Sequence, residues 1–170
     1  MVPSRLSDGS LETSLKVKNL SNSSSPARFH ALLHNYLAVP DVTRIGVEGL
    51  QGLNYSDKLD NKSIKSETNQ RIILSGNASD RVYDGSSPDV TLHYGNDGKT
   101  LRVTRSTTFQ DTVVWNPAEE GAQAIADLHP GAWKEYICLE PGSVVKPAEL
   151  AAGQEVRVEL VVVARELFMI

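Results

Sequence analysis

The chain has 170 residues, a net charge of −4 and its lysines and arginines scattered, with no basic block. That length suits one domain with a real core, and the charge argues against nucleic acid or a membrane surface as partner. A single cysteine, Cys138, excludes a disulfide framework and a cysteine-based zinc cluster, and no apolar run is long enough to span a membrane.

Leu11 to Leu20 alternates, with Leu11, Leu15 and Val17 on one face and Glu12, Ser14, Lys16 and Lys18 on the other, which predicts a half-buried strand. The polar cluster Ser21 to Pro26 reads as a tight loop. Arg28 to Val39 is apolar with two histidines and closes on Pro40-Asp41; its shortness and the Pro stop favour strand over helix. Short strand candidates follow at Thr43 to Val47, Gln70 to Leu74, Asp80 to Tyr83, Val90 to Tyr94 and Lys99 to Arg105. Turn chemistry separates them, most clearly Gly95-Asn96-Asp97-Gly98, a hairpin signal. Asn54 to Glu67 is polar and reads as a loop.

The stretch Asp111 to Gly142 contains a Trp115-Asn116-Pro117 corner, one or two helical turns within Gly121 to Leu128, and a strand-like run from Trp133 to Leu139. That run delivers Glu140 just before a Pro-Gly stop, a setting that aims a carboxylate with little freedom; the plain reading of this stretch alone is an exposed Glu at a strand end. Ala148 to Ala151 approaches Gly153, and Val156 to Ala164, rich in β-branched residues, gives a last strand. Many short strands with little helix signal predict an all-β fold, a β-sandwich or barrel-like sheet pair. The chain opens almost directly on a strand, an edge that invites pairing and points to a fragment of a larger sheet protein. The N-terminus lacks the layout of a secretory signal, so the asparagine sequons at Asn22, Asn54, Asn61 and Asn77 read as chance and a cytoplasmic location is expected.

His30 and His34 share a face in either a strand or a helix. A structural role is the plain reading of each. A metal pair is the second, but Ala31 stands where a metalloprotease motif has glutamate, and no third ligand is evident. The third is a general acid, an imidazole able to protonate a leaving oxygen. Glu140 is a candidate base for it, Asp80 a carboxylate suited to vicinal hydroxyls, and Trp115 and Trp133 are apolar faces for a sugar ring or core residues.

Taken in order, FHALLHNYLAVPD, SDRVY, TVVWNP, Ala126-Asp127 and ICLEPG resemble the hexose-6-phosphate mutarotases, the glucose-6-phosphate 1-epimerase family of the galactose-mutarotase-like superfamily. LETSLKVKNLS fits the segment leading into the histidine motif, and the resemblance runs from about Ser10 to Gly153. It implies a galactose mutarotase-like supersandwich lacking N-terminal strands. It also implies His34 as general acid, Glu140 as general base and Asp80 as a substrate-binding carboxylate, with supporting places for Asn116 and Asp127. His30 is not required by the family pattern, which argues again against a metal pair.

The implied reaction opens a hexose 6-phosphate or related aldose to its free aldehyde and closes it to the other anomer, without metal or cofactor. Family members are longer, and their N-terminal half supplies the arginines that grip the phosphate. Here Arg28, Lys58, Arg71 and Arg81 are scattered, and none matches those phosphate-gripping arginines. The alternative expectation is therefore a truncated, non-catalytic β-sandwich that binds carbohydrate or a protein partner.

Overall fold

The computed structural model describes residues 4–7, 10–22, 25–85, 89–95, 98–105 and 108–166. Its strands in chain order begin with β1 (Ser4–Ser7), β2 (Ser10–Lys18), β3 (Ala27–Leu32), β4 (Tyr36–Ala38), β5 (Gly46–Glu48), β6 (Asn54–Asp57) and β7 (Ser63–Ser66). They continue with β8 (Arg71–Ile72), β9 (Ser79–Tyr83), β10 (Asp89–His93), β11 (Lys99–Arg105), β12 (Asp111–Asn116), β13 (Tyr136–Leu150) and β14 (Glu155–Glu166). One short helix, α1 (Ala118–Ala122), and a 3-10 turn (Ala132–Glu135) interrupt the series between β12 and β13.

Two antiparallel sheets result. The first runs β1-β2-β14-β11-β10-β5-β8; the second runs β3-β13-β12-β9-β6-β7, with β4 also paired to β13. Inward-facing residues of both, among them Val47, Leu92, Val103 and Val162 from the first and Tyr83, Val114, Ile137 and Leu139 from the second, make one apolar core. Each fully buried aliphatic side chain of this kind stabilises the fold by about 1.5–3 kcal/mol relative to exposure.

Several sequence expectations need correction: the helical turns expected within Gly121 to Leu128 lie at Ala118–Ala122, and the strand expected at Thr43 to Val47 is Gly46–Glu48. Asn54 to Glu67 is not a loop but the β6–β7 hairpin, because Tyr55 enters the core while the polar residues around it face out. Arg28 to Val39 is two strands with a break at Leu33–Asn35. The residues from Trp133 to Glu135 lie in the 3-10 turn, so the strand starts at Tyr136. Pro141-Gly142 does not stop it; β13 continues to Leu150 through an irregularity between Ser143 and Ala148. The hairpin expected at Gly95–Gly98 connects β10 to β11 as predicted in pairing, while Asn96 and Asp97 lie outside the described residues.

The second sheet is buried on both faces in its centre. Side chains alternate along a strand, so Leu139 and Ile137 point into the core while Cys138 and Glu140 point the other way. Val82, Val113, Cys138 and Glu140 are all buried on this outer face. That face carries the site.

Candidate functional site

Strand register arranges the outer face in two rows. Val82, Val113 and Glu140 stand opposite one another across β9, β12 and β13. One step along, Asp80, Trp115, Cys138 and Tyr36 form the neighbouring row across β9, β12, β13 and β4. Period-two alternation thus brings Asp80 and Glu140 to one face although 60 residues separate them in sequence.

His34 arrives by a different route. β3 and β4 both run along the same edge of β13, β3 pairing with Gly142 and beyond, β4 with Tyr136–Cys138. The three residues between them, Leu33–Asn35, leave the ladder opposite Leu139–Pro141. Leu33 N–H donates to the Pro141 carbonyl at 3.0 Å, and the Asn35 side-chain amide donates to the Leu139 carbonyl. Both carbonyls point to this side of β13, so the N–H that Pro141 lacks would have faced the break, where proline is tolerated. His34, held between two anchored neighbours, places Nε2 3.2 Å from Glu140 Oε1.

The two groups sit in unlike surroundings. The Glu140 side chain is 3% exposed and that of His34 45%. Burial pushes the Glu140 carboxyl up to about 7, with Lys58 pulling it down and Asp80 adding to the rise. Burial also holds the His34 imidazole below its ordinary 6.5. Both shifts disfavour the charge-separated pair and favour a single proton shared between neutral groups.

Aromatic rings surround the pair. Tyr36 stacks on His34 with centroids 5.0 Å apart, and Trp115 meets the imidazole edge-on at 5.9 Å. Tyr136 lies 5.1 Å from Tyr36 and 6.1 Å from Trp115. Tyr36 is 62% exposed, so a flat apolar surface is presented to solvent beside the proton-transfer groups. Trp133, by contrast, is buried in the core within the 3-10 turn, which is the core alternative of the two readings given for it.

Asp80 pairs with Lys58 at 3.1 Å, and the Lys58 backbone N–H donates to the Asp80 carbonyl. Asp80 and Trp115 line a cleft of about 750 Å³ whose far wall is the Asn77–Ser79 segment and the start of α1. Asn116 is a brace: its amide donates to the Trp133 and Tyr136 carbonyls at 2.9 Å each, and its oxygen accepts from Ala118 N–H. Asp127 is exposed after α1. Its charge helps raise the Tyr36 phenol, behind burial, Cys138 and Glu140.

Sequence reasoning brought His34, Glu140 and Asp80 forward, and the fold brings them to one face. It gave no role to Tyr36 or Tyr136 and set Lys58 aside as one of several scattered cations; all three reach the face through strand pairing. His30 Nδ1 lies 3.0 Å from the Ser143 carbonyl. Among the described residues the donors that do converge are those of His34, Cys138 and Glu140.

Comparison with known proteins gives the chain's family and fold. A family model described as aldose 1-epimerase matches residues 2–162. A Cenchrus ciliaris protein named "Putative glucose-6-phosphate 1-epimerase" is 30% identical over 149 residues, covering 88% of this chain and 45% of that protein. Among solved structures, a "putative mutarotase (YeaD)" from Salmonella typhimurium superposes with a TM-score of 0.82 at 20% identity, covering 93% of this chain and 50% of that one. A galactose mutarotase-like protein from Clostridium acetobutylicum gives a TM-score of 0.68 at 13% identity, over 96% of this chain and 55% of that one. The chain thus spans about half the length of the relatives it matches. With the two-sheet fold and a family match over nearly its whole length, the chain belongs to the aldose 1-epimerase family.

Proposed function

We propose that the chain carries the acid–base pair of a hexose-6-phosphate 1-epimerase, which interconverts α and β anomers by opening and reclosing the sugar ring. The observation that carries this reading is the 3.2 Å approach of His34 Nε2 to Glu140 Oε1 on the face that also holds Asp80. In the productive form His34 is protonated and Glu140 ionised. Glu140 takes the proton from the anomeric hydroxyl while His34 protonates the ring oxygen, and the C1–O5 bond breaks to give the aldehyde. Rotation about C1–C2 exposes the other carbonyl face. Attack of the C5 hydroxyl then returns one proton to His34, and Glu140 reprotonates O1. The pair ends as it began, so no external acid or base is consumed. General acid–base catalysis of this type contributes about 10²–10⁴-fold in rate.

Asp80 supports the reading as an acceptor for sugar hydroxyls, and the exposed ring of Tyr36 as an apolar surface for the pyranose. The phosphate preference rests on the name of the Cenchrus ciliaris relative and on Lys58, a cation beside Asp80. A phosphorylated substrate goes with a cytoplasmic setting.

The test follows anomer exchange by NMR in freshly dissolved α-glucose and α-glucose 6-phosphate. Wild type is expected to accelerate exchange of the phosphorylated sugar more strongly, with His34→Ala and Glu140→Gln reduced to the buffer rate. A folded wild type that matches buffer on both sugars overturns the catalytic reading for this chain. Equal acceleration of both overturns the phosphate preference alone.

A further inference from the structure

His34, Cys138 and Glu140 bring an imidazole nitrogen, a thiol sulfur and a carboxylate oxygen within 4.8 Å of one another. The fold makes this happen twice over. Cys138 and Glu140 are two residues apart on β13 and therefore share its outer face. His34 is delivered to them by the break between β3 and β4, whose flanking residues are hydrogen-bonded to the Leu139 and Pro141 carbonyls. The proposed acid–base chemistry uses the first and third of these groups and leaves the thiol without a task.

We propose that these three side chains form a binding site for a thiophilic divalent cation of the zinc class, and that the bound cation blocks the acid–base pair. This inference rests on the reading of His34 and Glu140 given above only for its second half; the site itself stands on the cluster. Nitrogen, sulfur and oxygen donors in this number are what zinc takes in sites with three protein ligands, the fourth position being left to water. The separations suit a cation seated between donors at 2.0–2.3 Å after small side-chain adjustments. A soft thiolate among the ligands selects zinc over magnesium or calcium, which prefer oxygen donors alone.

Charge argues the same way. A divalent cation on one thiolate, one carboxylate and one neutral imidazole gives a set with no net charge, which suits a face where Glu140 is otherwise almost wholly buried. Binding replaces the thiol proton, released to solvent, and the proton shared by His34 and Glu140. The second of these, with the His34 and Glu140 lone pairs, is what ring opening needs. The exposed edge of His34 supplies the approach from solvent.

Titration of the intact chain with Co²⁺ reads the site directly, because a cobalt–thiolate bond gives a near-ultraviolet charge-transfer band that oxygen and nitrogen ligands alone do not. Wild type is expected to develop the band at one equivalent, Cys138→Ser to lack it, and His34→Gln to require more than about tenfold more cobalt, since even the loss of an outer partner of a ligand costs that much. His34 is on an exposed break, so that variant keeps the test intact if the Cys138 substitution disturbs the packing of the buried outer face. Zn²⁺ is expected to displace the band and to stop anomer exchange, with recovery on chelation. No thiolate band in wild type, or an unchanged band in His34→Gln, overturns the site. A band with exchange unaffected by Zn²⁺ overturns the block while leaving the site. An enzyme inactive before metal is added tests the earlier reading instead, because the band is read without turnover.

Discussion

Asn35 donates its side-chain amide to the carbonyl of Leu139, the residue before Glu140, and so substitutes for a backbone rung that the break between β3 and β4 leaves out. One neighbour of the proposed acid is thereby tied to one neighbour of the proposed base. The bond has a modest worth in stability, about 1 kcal/mol. Its larger effect is on geometry, since an imidazole displaced by an ångström loses much of its catalytic value. Asn35→Ala is expected to lower kcat about 10²-fold with KM little changed and Tm lowered only slightly. Equal activity in this variant would show that Leu33 alone suffices to seat His34.

Glu140 makes a separate prediction about stability. Its carboxyl is raised from 4.5 to about 7 in the folded chain, chiefly by burial. A raised carboxyl means that the folded state holds the proton more tightly than the unfolded state. The folded form therefore has no penalty from Glu140 below pH 4.5, and loses stability as pH rises from there through about 7. At about 1.4 kcal/mol per pH unit, the loss approaches about 3 kcal/mol above that range. Glu140→Gln cannot ionise. Its Tm is expected to exceed that of wild type at pH 8 by several degrees and to converge with it near pH 4.5. A gap that does not change with pH would mean that Glu140 is not held in a desolvated state.

The same contrast between local and long-range information explains what could be read beforehand. The alternation around Leu15 and Val17 and the turn chemistry after Tyr94 act within a few residues, and both strands form where expected, although Ser14 rather than Leu11 is the buried residue of β2. The carboxylate at the end of ICLE and the histidine of FHALLH were visible as chemistry, and the family motif joined them. The β6–β7 hairpin was missed because Tyr55 alone marks its core side, while the apolar Ile64 of β7 faces solvent and breaks the alternation. Pro141-Gly142 reads as a stop in sequence. In the fold the missing proline N–H faces an interrupted neighbour strand, and Asp111 Oδ2 accepts from Val144 and Val145 N–H at 2.7 Å to carry the strand onward. Tyr36, Tyr136 and Lys58 depend on which strands pair, and that is decided by the whole core.

Gly142 is where β3 presses against β13. A Cβ at this position would lie 2.8 Å from Leu32 Cδ1 and 2.9 Å from the Ala31 carbonyl oxygen. The leucine methyl can turn aside, but the backbone oxygen belongs to the paired strand and cannot. Gly142→Ala is expected to destabilise by about 1–3 kcal/mol, the range for an overpacked contact. Because β3 leads directly into the His34 break, activity is expected to fall by more than the stability loss accounts for, read as kcat at a temperature where the variant is fully folded. A variant destabilised yet fully active would separate β3 from the placing of His34.

Lys58 offers a way to move the pair's titration without touching it. With one proton between them, His34 and Glu140 are competent; with none or two they are not, so kcat/KM against pH is expected to be bell-shaped. The alkaline limb reports loss of the shared proton near pH 7, and the acid limb lies below 6.5, because burial lowers the imidazole. Lys58 stabilises ionised Glu140 and also neutralises Asp80, whose charge opposes that ionisation. Removing the ammonium group works in one direction through both routes: the proton becomes harder to lose. Lys58→Met is therefore expected to shift the alkaline limb to higher pH, and Lys58→Arg to leave it in place. The turn that carries Lys58 is held independently, by Lys65 between Asp57 and Asp60 at 2.8 Å each. A change confined to KM with the limb unmoved would instead make Lys58 a substrate contact that does not act through Glu140.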